Sequence, residues 1–130
     1  MTYGAHIHHQ IARAWFLALD SDARVCFCRF TQISLLRLLT TQAVMGDEVM
    51  TQNQAWEAYD YWLTDLRIYF LEEPAHLDDA FRLVSRSRHP SPKTWNDSYL
   101  AAFATMSGLQ FVTFDHAFEG KAAQVLVLKQ

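Results

Sequence analysis

The stretch Thr94–Asp115, TWNDSYLAAFATMSGLQFVTFD, holds a helix, a stop and a strand in direct succession. Apolar residues recur through Thr94–Ser107 at helical spacing, which predicts a helix there. Gly108 follows, a residue suited to the left-handed conformation that closes many helices. Leu109–Phe114 is then a short, nearly continuous apolar run, the pattern of a strand covered on both faces.

The same alternation extends outward in both directions. Downstream, Ala123–Leu128 reads as another strand, with a short helical turn at Asp115–Phe118 before it. Upstream, His76–Val84 reads as a helix and Arg67–Leu71 as a strand broken by Glu72-Glu73-Pro74. Thr51–Thr64 predicts a helix opened by the capping-box pair Thr51 and Gln54, with Ala55, Tyr59, Trp62 and Leu66 as its apolar stripe. Thr41–Met50 reads as a loop and Phe30–Thr40 as a helix with Ile33, Leu36 and Leu39 on one face. Arg24–Arg29 suits a buried strand, and His6–Leu19 an amphipathic helix ended by Asp20-Ser21-Asp22. Helices alternating with short apolar strands predict an α/β layer fold around a mostly parallel sheet, in one domain over residues 1–130.

Composition narrows the function classes. Hydrophobic residues make up 51% and charged residues 19% of the 130, so the chain can fill a core and is not a disordered tail. The net charge of −3 announces no strongly basic surface, and any contact with RNA must rest on a local patch or on metal ions. Cys26 and Cys28 alternate with Val25 and Phe27 and read as small hydrophobes rather than a disulfide or a thiolate metal site. A reducing, cytoplasmic setting follows most simply. The polar, His-rich start has no signal-peptide character, and no apolar run approaches the ~18–20 residues of a membrane span.

A few polar residues stand where chemistry is possible. Asp97 falls in the first turn of its helix and shares a face with Leu100, Ala101 and Ala104. It is either a metal ligand or a charge that favours the helix N-terminus. Asp115 ends a strand, where ligands gather in parallel sheets, or it caps the following turn. Two such carboxylates brought together make a hard, oxygen-rich site for Mg²⁺ or Mn²⁺. Gln32 lies on the face of Leu35, Leu36 and Leu39, and as a buried amide it needs partners; Thr31 is an equal candidate for a cap. His6, His8 and His9 are poorly spaced for a metal on a helix. Arg82, Arg86, Arg88, His89 and Lys93 form a local basic stretch that either touches phosphates or is a solvated loop. Glycine-rich phosphate loops and the serine-hydrolase elbow are absent.

Three stretches together, HIHHQIARAWF (6–16), CFCRFTQISLLRLLTTQAVMG (26–46) and SPKTWNDSYLAAFATMSGLQFVTFDHAF (91–118), resemble the PIN-domain ribonucleases, specifically their VapC-like toxins. The resemblance covers almost the whole chain in order. It rests on W-x-D-x-Y-L-A-A-F-A followed by a strand ending T-F-D. It implies a three-layer α/β/α fold and Mg²⁺- or Mn²⁺-dependent cleavage of RNA phosphodiesters. It also implies a cognate antitoxin as partner, a homodimer and no membrane. By the same resemblance Asp97 and Asp115 are metal ligands and catalytic acids, and Thr31, Gln32 and Thr113 lie near them in supporting positions. Thr31 and Gln32 match the place where many relatives carry Glu.

Such proteins usually open with an apolar strand ending D-x-N, whose Asp is a principal metal ligand. Here Met1-Thr2-Tyr3-Gly4 leads almost directly into the first helix. The expectation is therefore a chain that lacks its first strand, is weakly active or inactive, and is poorly stable alone. Two alternatives accompany it: a non-catalytic remnant that binds only an antitoxin or a second copy, and an α/β binding module whose acids serve as caps.

Overall fold

The computed structural model describes Ala14, residues 17–19, residues 24–113 and residues 125–127, the last three and residues 111–113 as backbone. Contacts within the chain gather into two compact units, Met1–Glu72 and Glu73–Gln130. Asp115, His6, His8, His9 and the expected absence of a first strand fall outside the described residues. Of the His6–Leu19 helix, Ala14 and Leu17 are helical, and Ala18 N–H donates to Ala14 O at 3.1 Å.

In the first unit β1 (Val25–Phe27) pairs in parallel with β2 (Ile68–Phe70), Val25 opposite Ile68 and Phe27 opposite Phe70. The ladder runs on at both ends, Val25 N–H to Arg67 O at 2.6 Å and Leu71 N–H to Phe27 O at 2.8 Å. Parallel neighbours need a long crossover. It is made of α1 (Arg29–Leu39), α2 (Gln42–Met45), a 3₁₀ turn (Gly46–Glu48) and α3 (Gln52–Trp62).

The segment expected as a plain loop, 41–50, is thus mostly helical. Met45 and Val44 donate to Thr41 O, and Met50 N–H returns to Leu39 O at 2.9 Å, which satisfies backbone groups a solvated loop would leave to water. The Thr51–Gln54 capping box forms in both directions, at 3.1 and 2.9 Å. Ala55 and Tyr59 are buried as the stripe predicts, but Trp62 is 38% and Leu66 89% exposed. The i, i+4 count holds only while the helix lasts, and α3 stops at Trp62. On α1 the buried line is Gln32 and Leu39, while Ile33, offset by one residue, is 49% exposed.

Between α3 and β2 the chain turns on Asp65. Its carboxylate accepts from Arg67 N at 2.9 Å and from the Arg67 guanidinium at 3.1 and 2.8 Å. These bonds hold the carboxyl down from 3.8 to about 2. A depressed native value means the unfolded chain takes the proton first. The turn's contribution to stability is therefore complete above 3.8 and is lost as the pH falls toward about 2. Asp65→Asn is expected to flatten the acid limb of a melting-temperature profile in that window, and an unchanged limb counts against the assignment.

In the second unit α4 (Leu77–Ser85) packs on α5 (Trp95–Met106). Phe81 is the hub, edge-on to Trp95 at 6.2 Å and to Tyr99 at 5.8 Å, and Tyr99 continues to Phe103 at 6.2 Å. Trp95, Tyr99 and Phe103 are spaced by four, so they line one face of α5. Ala101, Ala102 and Ala104 are buried at 5% exposure or less, and their small size lets neighbours approach the helix closely. Gly108 at φ +69 ends α5 as expected, with Leu109 N–H reaching back to Ala104 O at 2.8 Å and Gly108 N–H to Thr105 O at 3.2 Å. β3 (Phe111–Thr113) then pairs in parallel with β4 (Val125–Val127). All described pairing is parallel, in an α/β chain, as the alternation of elements predicts.

Candidate active site

Asp97 is the third residue of α5 and is half-buried. The helix brings it to the head of the face that carries Leu100, Ala101 and Ala104, the last two buried. The N-cap residue, Thr94, donates its hydroxyl to Ser91 O at 2.9 Å and makes no side-chain cap to the helix. The unsatisfied N–H groups of the first turn therefore favour a negative charge at Asp97. Among the described residues no hydrogen bond or ion pair engages its carboxylate. A half-buried carboxylate with both oxygens unengaged has the hard donor chemistry that Mg²⁺ or Mn²⁺ takes. One carboxylate is not a complete site. Among the described residues no three His, Cys, Asp or Glu come together as metal ligands.

Asp115 follows β3 by two residues in sequence, beyond the last described strand residue, Thr113. Its position relative to Asp97 lies outside the described residues. Thr31 and Gln32 sit in the first turn of α1. Thr31 Oγ1 accepts from Cys28 N at 2.9 Å and donates to Cys28 O at 3.1 Å, so it serves as the local cap. Gln32 is 6% exposed, and its carbonyl oxygen accepts from the Arg29 guanidinium, which in turn lies 4.8 Å over the Phe70 ring. The buried amide therefore has a partner, and Arg29 is one that helical periodicity does not single out. The signal for it is the i, i+3 spacing of Arg29 and Gln32. Burial, with Cys28 nearby, pushes the Cys26 thiol up, so it stays neutral and makes a poor metal ligand.

Arg82, Arg86, Arg88 and His89 of the basic stretch line a groove in the second unit, and Lys93 does not. Arg82 is neutralised by Asp78 at 2.7 Å, whereas Arg86 and Arg88 make no hydrogen bond or ion pair among the described residues. Trp95 forms part of the same wall and is 57% exposed. Sequence reasoning assigns Trp95 no role beyond its motif, although an aromatic directly after a basic, proline-containing loop is visible there.

A parallel α/β chain whose acid-headed helix runs into a strand has a counterpart among known proteins. Residues 2–124 match the PIN domain. The chain belongs to the PIN-domain family. It is 41% identical over 122 residues to Ribonuclease VapC41 of Mycobacterium tuberculosis, covering 91% of this chain and 84% of that protein. It is 25% identical over 119 residues to Ribonuclease VapC44 of the same organism, covering 86% of this chain and 76% of that one. The PIN match runs across the boundary between the two units. Among the described residues no helix is long and apolar enough to cross a membrane.

Proposed function

We propose that this PIN-domain chain is a divalent-metal-dependent endoribonuclease, the toxin of a toxin–antitoxin pair, acting as a single domain in the cytoplasm. The observation that carries the reading is the 41% identity with a protein named as a ribonuclease over 91% of the chain. The half-buried carboxylate of Asp97, unengaged among the described residues, supports it.

Asp97 and Asp115 would hold the ion, Mg²⁺ or Mn²⁺. Bound there, a divalent ion supplies Lewis-acid polarisation of the scissile phosphate and a water of lowered pKa. The chain's own part is positional. Asp97 is half-buried, so its charge acts in a medium less screened than bulk solvent. Gln32, locked by Arg29, and Thr31, locked on Cys28, stand where many relatives place a Glu, and Thr113 precedes Asp115 by two residues in sequence. The partners are RNA, a cognate antitoxin and a second copy of the chain.

Incubation of the chain with single-stranded RNA tests the reading. Cleavage is expected with Mn²⁺ or Mg²⁺ and none with EDTA, together with Mn²⁺ binding by calorimetry that Asp97→Asn and Asp115→Asn each weaken. Cleavage that persists in EDTA, or a chain that neither binds Mn²⁺ nor cuts RNA, sinks it.

A further inference from the structure

The groove between α4 and the N-terminal end of α5 is a second feature of this protein, and Asp97 is not among the residues that line it. It is open, encloses about 1070 Å³, and is walled by Phe81 and Trp95 on the helices and by the loop from Arg86 to Pro92. We propose that this groove is a binding site for single-stranded RNA. The phosphates lie against Arg86 and Arg88, and a base stacks on the Trp95 indole. The inference deepens the ribonuclease reading by naming where substrate is held, and it rests on that reading for its biological purpose.

Three features favour it over a merely solvated loop. The first is charge. The chain as a whole carries −3, yet the ionised groups lining the groove are Arg82, Arg86 and Arg88 against Asp78 alone. Asp78 is consumed by Arg82, which leaves two guanidiniums whose fork geometry matches phosphate oxygens. The second is the exposed indole. Trp95 keeps 57% of its surface in water even though Phe81 packs edge-on against it, so a stacking platform remains beside the cations. A positive groove with an aromatic surface is the arrangement that holds single strands without reading their sequence.

The third is the stiffness of the loop. His89 N–H donates to Ser87 Oγ at 3.1 Å and Ser91 Oγ donates to His89 O at 3.4 Å. Thr94 N–H and Thr94 Oγ1 both return to Ser91 O, at 3.1 and 2.9 Å. Pro90 and Pro92 fix two further φ angles. A loop braced in this way presents its arginines with less ordering cost on binding than a free tail does. Trp95 and Asp97 share the first turn of α5 but stand roughly 200° apart around it. A strand seated on Trp95 that crosses the helix N-terminus, itself attractive to phosphate, arrives at Asp97.

The test is fluorescence anisotropy with the full chain and a labelled single-stranded oligoribonucleotide, in EDTA so that binding is read without cleavage. The wild type is expected to bind with a log–log salt slope that becomes shallower by about 1.4 in the Arg86→Ala/Arg88→Ala variant, at about 0.7 for each phosphate no longer neutralised. Trp95→Ala is expected to weaken binding roughly 5- to 150-fold, and Trp95→Phe to recover most of it. Melting curves of all three variants establish that the fold survives. An unchanged affinity and slope in the double variant overturns the proposal, as does displacement of the RNA by a poly-glutamate peptide at matched charge, which marks the groove as an acidic-peptide site. If the wild type binds RNA through these residues but never cleaves it with metal, the groove stands and the nuclease reading fails; if it cleaves with metal and the variants bind as the wild type does, the reverse holds.

Discussion

Asp97→Asn is expected to lower metal-dependent RNA cleavage by about 100-fold or more while leaving the chain folded. The change is nearly isosteric, so the main loss is the charge. That charge has no ion-pair or hydrogen-bond partner to strand when it goes, because none engages it among the described residues. The remaining structural cost is the favourable meeting of an acid with the helix N-terminus, about 0.3–1 kcal/mol at an exposed site. A purely capping Asp97 therefore predicts a small drop in melting temperature and unchanged cleavage. A metal-holding Asp97 predicts the opposite pattern, with calorimetric Mn²⁺ affinity falling alongside rate. The two measurements, made on one variant, separate the readings, and a variant that melts lower yet cuts RNA at the wild-type rate removes Asp97 from the site.

Tyr59→Ala is expected to destabilise the protein by about 3–5 kcal/mol, a fall in melting temperature of roughly 10–20 °C. Tyr59 is 3% exposed and meets Phe27 of β1 edge-on at 5.3 Å and Trp56 at 5.9 Å. Its removal opens a large hole under the first strand pair and breaks both ring contacts. The hydroxyl behaves differently from the ring. Tyr59 Oη is buried without a hydrogen-bond partner among the described residues, so it carries an unreturned desolvation cost. Tyr59→Phe keeps the ring and drops that oxygen, and it is expected to be neutral or to stabilise by about 1 kcal/mol. A clear loss of stability in Tyr59→Phe would mean the oxygen has a partner after all.

The contrast between Gln32 and Asp97 shows how far local pattern reaches. Counting along a helix places both on apolar faces, and both are withdrawn from water as counted. Counting does not reveal that Gln32 is held by Arg29 while Asp97 is unengaged among the described residues, because partners depend on side-chain reach and on neighbouring strands such as the one carrying Phe70. Leu66 fails for a related reason: its stripe assumes a helix that in fact ends at Trp62. The resemblance to PIN domains, carried by the W-x-D-x-Y-L-A-A-F-A helix and the T-F-D strand, places the family where composition and periodicity alone reach only an α/β layer fold.

By itself the chain determined its alternation of helices and strands, its capping box at Thr51 and Gln54, its Gly108 stop and the place of Asp97 in the first turn of its helix. These follow from near neighbours, since backbone hydrogen bonding and side-chain periodicity act over a turn or two. Only the folded structure decided which strands pair, that segment 41–50 coils rather than loops, and that Arg86, Arg88 and Trp95 share one groove while Arg82 is spent on Asp78. Those outcomes depend on which surfaces meet, and burial and charge pairing are properties of the meeting rather than of either residue.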